Sequence, residues 1–306
     1  MSGLEAAILT IITASTPLLL AAIGELVVER SGVLNLGVEG MMVMGAVCGF
    51  MATYYTGSLS LGVLAAMIAG VLMSMLFGLL TQTFITNQMA TGLALTILCL
   101  GLSGLIGEPL TGLPGLKLPA IEIPFLSDIP YIGKILFAQD ILVYTSIALV
   151  IGVQYALFKT RIGLIIRAVG DSHSSAHALG YSVTKVRYLC IMFGGACAGL
   201  AGGYLSLSYT PQWIEDMTSG RGWIALALVV FATWMPKRIF LGAYLFGTVW
   251  IMGLYVQGAG WPIPSQLLSA LPYIVTIVAL VIISRNATLT KLNTPKCLGQ
   301  PFVADR

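Results

Sequence analysis

Charge is missing from most of this chain in long, unbroken stretches. Residues 6–24, 40–107, 141–158, 188–214, 222–236 and 239–284 contain no Asp, Glu, Lys or Arg. A helix that crosses the hydrocarbon core of a bilayer needs about 20 mostly apolar residues. Cut at that length, the runs hold one, three, one, one, one short and two spans, about nine in all. Stretches such as 61–80 and 274–283 are apolar on every face, whereas strands of a membrane barrel would alternate polar and apolar residues. The sequence therefore predicts an all-α polytopic membrane protein with about nine transmembrane helices (8–10), some broken or halved. No stretch resembles a separate soluble domain, so residues 1–306 read as a single transmembrane domain.

Only 9% of the residues are charged, against roughly 25% in soluble domains. That excludes an ordinary soluble enzyme and a disordered chain, and a net charge of +3 is too small to argue for a nucleic-acid partner. The first run has no basic flank or Ala-x-Ala site, so a cleaved signal peptide is not expected. Cys48, Cys99, Cys190, Cys197 and Cys297 are scattered without a CxxC pattern and read as small apolar filler.

Basic loop residues set the orientation. Segment 159–187 holds Lys159, Arg161, Arg167, Lys185 and Arg187 against Asp171 alone, which places it in the cytoplasm. Counting outward makes the loop 108–140 external, 211–221 external, Met235–Arg238 an internal turn, 258–265 external and the tail 285–306 internal. Nine spans put the N-terminus outside, and no Lys or Arg precedes Arg30. No phosphate-binding GxxxxGK[ST] loop occurs; Gly133-Lys134 is followed by Ile135.

Polarity enters the apolar region at two places, where it marks a pathway or a buried contact. The first is Glu25, Glu29 and Arg30, read as an interfacial turn, followed by Asn35 and Glu39. The last two are four apart and would share a helix face, and glycines at 32, 37 and 40 break the helix around them. They suit either a capping role or a gate. The second is Arg221, flanked by Gly220 and Gly222 at the head of a run too short to span comfortably. This arginine would snorkel to the outer interface or pair with Glu215, Asp216 or Glu39. Two broken, Gly-rich segments in different halves are what an internal repeat produces, although no residue-level self-match accompanies them. Gly195, Gly199 and Gly203 lie four apart, as do Gly45 and Gly49, a spacing that brings helix backbones close.

The loop 163–182 predicts a short helix capped by Asp171 or Ser172 and stopped at Gly180, small enough on one side to enter a partner's groove. His173 and His177 lack a third metal ligand.

Three motifs in order then resemble a known family: Glu29-Arg-Ser-Gly-Val-Leu-Asn-Leu-Gly-Val-Glu-Gly-Met-Met, Arg167-Ala-Val-Gly-Asp with Ala176-x-x-Leu-Gly downstream, and Gly220-Arg-Gly-Trp-Ile-Ala-Leu-Ala. From about 24 to 300 the chain resembles the inner-membrane permeases of bacterial ABC importers for simple sugars, nucleosides and branched-chain amino acids, nearest the nucleoside, basic-membrane-lipoprotein-linked subgroup. The resemblance implies a multi-pass subunit of the bacterial inner membrane, surrounded by lipid and paired with a second related permease or a copy of itself. It implies cytoplasmic ATPase subunits, which carry the ATP, and an extracytoplasmic substrate-binding protein. No cofactor would be bound directly and no nucleic acid engaged. Arg167, Gly170, Asp171, Ala176, Leu179 and Gly180 would form the ATPase coupling loop; Asn35, Glu39 and Arg221 would shape the pathway or gate. The cargo would be a nucleoside or simple sugar, moved by alternating access. An ion-coupled secondary transporter is the alternative, with Glu39 as a proton relay. A membrane enzyme is disfavoured for want of any His/Asp/Glu or Ser/His cluster.

Overall fold

The computed structural model describes residues 3–122, 132–258, 264–284 and 293–303. The tip of the loop 108–140, residues 259–263 of the segment 258–265, and residues 285–292 and 304–306 of the tail lie outside the described residues. The helices are α1 (Gly3–Arg30), α2 (Val38–Thr56), α3 (Leu59–Gly78), α4 (Gln88–Gly107), α5 (Ile132–Phe137), α6 (Ile141–Lys159), α7 (Arg161–Asp171), α8 (His173–Ala178), α9 (Val183–Tyr204), α10 (Arg221–Phe231), α11 (Pro236–Gly258) and α12 (Ser265–Ser284). A short antiparallel pair, β1 (Ala120–Glu122) and β2 (Ala138–Asp140), sits in the loop before α6. Among the described residues, six helical stretches are long and apolar enough to cross a membrane: 5–30, 59–83, 88–110, 141–159, 183–209 and 236–258.

Burial sorts these helices. From Leu18 to Val28, α1 is buried on every face, as is α2 from Val38 to Val47. A helix apolar all round belongs at the centre of a bundle. Together with α9, these two form the core. The outer helices instead leave apolar stripes uncovered. On α3, Leu61, Leu64, Ile68, Leu72 and Met75 recur every three or four residues and are all exposed, an outer surface that suits hydrocarbon. Pro17 is accommodated inside α1 beside Ser15 and Thr16, whose hydroxyls donate to Ile11 O (2.7 Å) and Ile12 O (2.9 Å).

Close packing of α2, α3 and α9 depends on glycine. A Cβ on Gly199 would sit 2.2 Å from Ala66 O; one on Gly195 would meet the Ser74 hydroxyl at 2.2 Å; one on Gly203 would meet Ala66 Cβ at 2.6 Å. From the facing side, a Cβ on Gly45 would lie 2.3 Å from Gly199 O. These positions have no room for any side chain, so the three backbones touch directly. Both α3 and α9 end in a π-turn (Leu79–Thr83 and Leu205–Tyr209), an irregularity often found at functional places.

The bundle has two distinct ends. At one, the last turn of α1 and the residues just after it meet Gln88, Gly170, Arg187, Trp234 and the segment 293–300. At the other, Gly115 N–H donates to Pro211 O (3.0 Å), Leu118 N–H donates to Leu207 O (2.9 Å), and Thr111 pairs with Trp213.

Candidate functional site

Two helices start inside the bundle rather than at its ends. After α1, the backbone turns at Ser31–Gly32 and runs without helix to Gly37. Helix α2 then begins beside Thr96 and Cys99, which stand midway along α4. It leads away to Phe50, which packs beside Gly115 and Pro211. In the second half of the chain, residues 210–220 return from that end without regular helix, and α10 starts at Arg221. Its eleven residues rise only about 16 Å. They lead to Trp234, whose carbonyl accepts from Arg30 Nη2 at 2.7 Å.

The two starts face each other across one carboxylate. Glu39 Oε1 accepts from the Thr218 hydroxyl (2.6 Å) and Gly220 N–H (2.8 Å), and Oε2 accepts from Gly222 N–H (2.5 Å). The side chain is 3% exposed. The first N–H groups of a helix have no internal partner and carry partial positive charge, so a carboxylate is the partner they favour. Glu39 therefore caps a helix 180 residues away in sequence. The approach needs glycine twice: Gly220 has φ +80°, and a Cβ on Gly222 would meet the Glu39 backbone at 2.6 Å.

Arg221 stands beside this cap, buried rather than snorkelling outward; the Glu39 charge attracts it without a direct ion pair, and it makes none with Glu215 or Asp216. It is 9% exposed. Its guanidinium lies over the rings of Trp250 (4.8 Å) and Tyr209 (5.4 Å), and Nη1 donates to Met217 O at 2.9 Å. A buried cation is held here by ring faces and carbonyls.

Asn35 does not share a helix face with Glu39, because α2 begins only at Val38. It holds the break instead: Oδ1 accepts from Gly37 N–H (2.9 Å), a local turn that Asn favours, and its own N–H donates to Glu25 Oε1 (3.3 Å). Glu25, Glu29 and Arg30 do not form a turn: they lie in the last turns of α1, and all three are buried. Glu29 Oε2 accepts from Trp234 Nε1 at 2.5 Å, which ties α1 to the end of α10.

Tyr209 also lines a cavity of about 770 Å³, partly polar, with Thr10, Thr13, Lys117, Asp140 and Ser208. Ser208 donates to Asp140 Oδ2 at 2.7 Å, and Asp140 Oδ1 caps α6 through Leu142 and Val143 N–H (3.0 Å each). Hydroxyls, one carboxylate, the Gln139 amide and the Lys117 cation thus supply the polar lining of the opening at the Trp213 end, one ring away from Arg221.

The loop residues lie at the other end. Ser172 rather than Asp171 caps α8, accepting from Ser175 N–H at 3.3 Å, while Asp171 ends α7. Gly180 follows with φ +88°, its N–H donating to His177 O at 2.8 Å. Ala176 is buried against Val169 and Val183, whereas Leu179 is 77% exposed. Arg167 stacks on Phe158 at 5.1 Å, and Gly170 packs directly on Arg30 O.

Sequence reasoning missed Arg187, counted among loop cations. It is fully buried, with Nε donating to Ser31 O (3.3 Å) and Nη1 to Gln300 O (3.0 Å). Charge patterning alone cannot separate such a residue from its exposed neighbours Lys185 and Arg161. Thr218 was missed for the same reason: its partner is remote in sequence.

Comparison with known proteins places this arrangement. A family model described as branched-chain amino acid transport system, permease component, matches residues 7–280. The guanosine ABC transporter permease of Bacillus subtilis is 35% identical over 97% of both chains. The nucleoside ABC transporter permease of Lactococcus lactis is 30% identical over 95% of both. A protein of Haloferax volcanii provisionally named a glucose ABC transporter permease is 36% identical over 95% of both. In fold, the chain resembles a solved structure described as an ABC transporter of the metal-chelate type in an inward-facing conformation, with TM-score 0.53 and 16% identity over 90% of this chain and 84% of that one. With its membrane-length helices, this chain is a multi-pass cell-membrane transport subunit that belongs to the family of branched-chain amino acid transport system permease components of ABC transporters.

Proposed function

We propose that the chain is the membrane subunit of an ATP-driven importer whose cargo is a nucleoside, with a simple sugar as the second reading. The observation that carries the nucleoside is the pair of relatives named for guanosine and for nucleosides, each matched along nearly its full length. The relative named for glucose favours the sugar. The two ligands share ring hydroxyls, and the hydroxyl-lined cavity beside Tyr209 is chemically suited to them.

In this reading the chain crosses the membrane nine times: the six long helices plus α2, α10 and α12, with the short α10 completed by the non-helical stretch 210–220. The Arg30 end is cytoplasmic and the Trp213 end external, as the Lys and Arg distribution requires. The segments 31–37 with α2, and 210–220 with α10, run in opposite directions from a common start at Glu39, the pattern expected of an internal repeat of inverted sense.

ATPase subunits, which hold the ATP, dock on the cytoplasmic face around α8, with Leu179 offered to them. A second permease, of this or a related sequence, completes the membrane pair, and a binding protein delivers cargo from outside. Alternating access then moves α10 against α2, and the Glu39 cap decides how firmly the two stay joined. No residue of this chain forms a covalent intermediate.

The test is to purify the transporter from membranes with its binding protein and identify the retained ligand by mass spectrometry. A nucleoside, with guanosine uptake unaffected by excess glucose, supports the first reading. A retained sugar moves the assignment to the second. A ligand of neither class overturns both.

A further inference from the structure

We infer that residues 293–303 form a strap that fastens the α7–α8 loop to the break after α1, so that a displacement of the loop is passed to segment 31–37. Two backbone bonds two residues apart carry the strap. Cys297 N–H donates to Gly170 O (2.9 Å), and Gly299 N–H donates to Gly32 O (3.1 Å). The strap is therefore bonded to both elements at once. It is also pinned from behind: Arg30 Nη1 donates to Asn293 O and Arg187 Nη1 to Gln300 O, each at 3.0 Å.

Beyond Gln300 the strap reaches α8. The ring of Phe302 stands 5.4 Å from both His173 and His177, edge-on to each, and packs on the small cluster of Val169, Ala176 and Val183. The backbones of these three segments pack closely, with Gly170 leaving no room for a side chain and Gly32 held at φ +87°. A Cβ on Gly170 would lie 2.2 Å from Arg30 O, and one on Gly32 would lie 3.2 Å from Cys297 O. Close-packed backbone held by bonds on both sides transmits displacement rather than absorbing it. From Gly32 the path is short: Asn35 holds the break, and Glu39 follows with its grip on α10.

The identity of what displaces the loop rests on the ATPase reading above; the fastening itself does not. Hydrogen exchange on the full-length chain, purified with whatever subunits accompany it, separates the two. Phe302→Ala is expected to raise exchange at 31–37 and at 168–180 together, by roughly two- to tenfold, the weight of a few loosened hydrogen bonds. A rise confined to 168–180 and the strap, with 31–37 unchanged, would overturn the proposal. Wild-type protein gives a check that needs no substitution. With and without a non-hydrolysable ATP analogue, exchange at 31–37, 168–180 and 295–300 should change together, and a change at 168–180 alone again overturns it. Should no ATPase accompany the chain, the Phe302→Ala comparison still reads the strap while the docking reading fails.

Discussion

Replacing Glu39 by Gln leaves size and shape almost unchanged and removes only charge and one acceptor. The carboxylate accepts three hydrogen bonds, two on Oε1 and one on Oε2. An amide can keep its oxygen towards Thr218 and Gly220, but its NH2 then faces Gly222 N–H, donor against donor. Losing that charge-assisted bond costs about 1.5–3 kcal/mol. The two remaining bonds weaken on losing the charge, and the favourable contact with the start of α10 goes as well, adding about 1–2 kcal/mol. The sum is roughly 3–5 kcal/mol, which for a chain of 306 residues corresponds to a fall in melting temperature of roughly 5–8 °C. A thiol-reactive dye measures it directly, because Cys99, Cys190, Cys197 and Cys297 are buried and react on unfolding, while half-buried Cys48 sets the baseline. Glu39→Asp keeps the charge with a shorter reach and should fall between the two. A Glu39→Gln protein that melts within about a degree of wild type and transports normally would refute the capping role.

Other substitutions test the rest of the bundle. Gly199→Ala forces a methyl against Ala66 O, and overpacking of this kind should destabilise by about 1–3 kcal/mol or more, read by the same dye assay. Thr13→Val removes a cavity hydroxyl that otherwise bonds only within its own helix; uptake should show a raised KM with the melting temperature unchanged. Burial, with Arg187 second, holds the His173 imidazole below its ordinary range. The folded loop therefore favours the neutral ring. Its stability is complete above the ordinary histidine value and declines as pH falls below it. Exchange at 168–180 should accelerate on acidification, and His173→Gln should remove much of that dependence.

Some of this was written in the sequence, and the parts that were not share a cause. Uncharged runs located the long helices, and glycines flanking isolated charges located both broken segments. What spacing could not supply was the partner. Asn35 and Glu39 look like neighbours on a helix, yet the helix starts between them, and Glu39 reaches Gly220 and Gly222 across the fold. Arg221 resembles a snorkelling residue because sequence cannot show the rings of Tyr209 and Trp250 closing over it. The span count suffers likewise: the eleven residues of α10 rise only about 16 Å and follow an irregular stretch at 210–220, which a hydropathy window cannot weigh. Ser172 and Gly180 were readable because caps and stops are local.

The most direct test is uptake of labelled guanosine by vesicles reconstituted with this chain and its ATPase and binding-protein partners. Accumulation that requires ATP on the ATPase side, persists when ion gradients are collapsed and drops sharply in Glu39→Gln is the predicted result. Accumulation that proceeds without ATP, or disappears with the ion gradients while ATP is held constant, would contradict it.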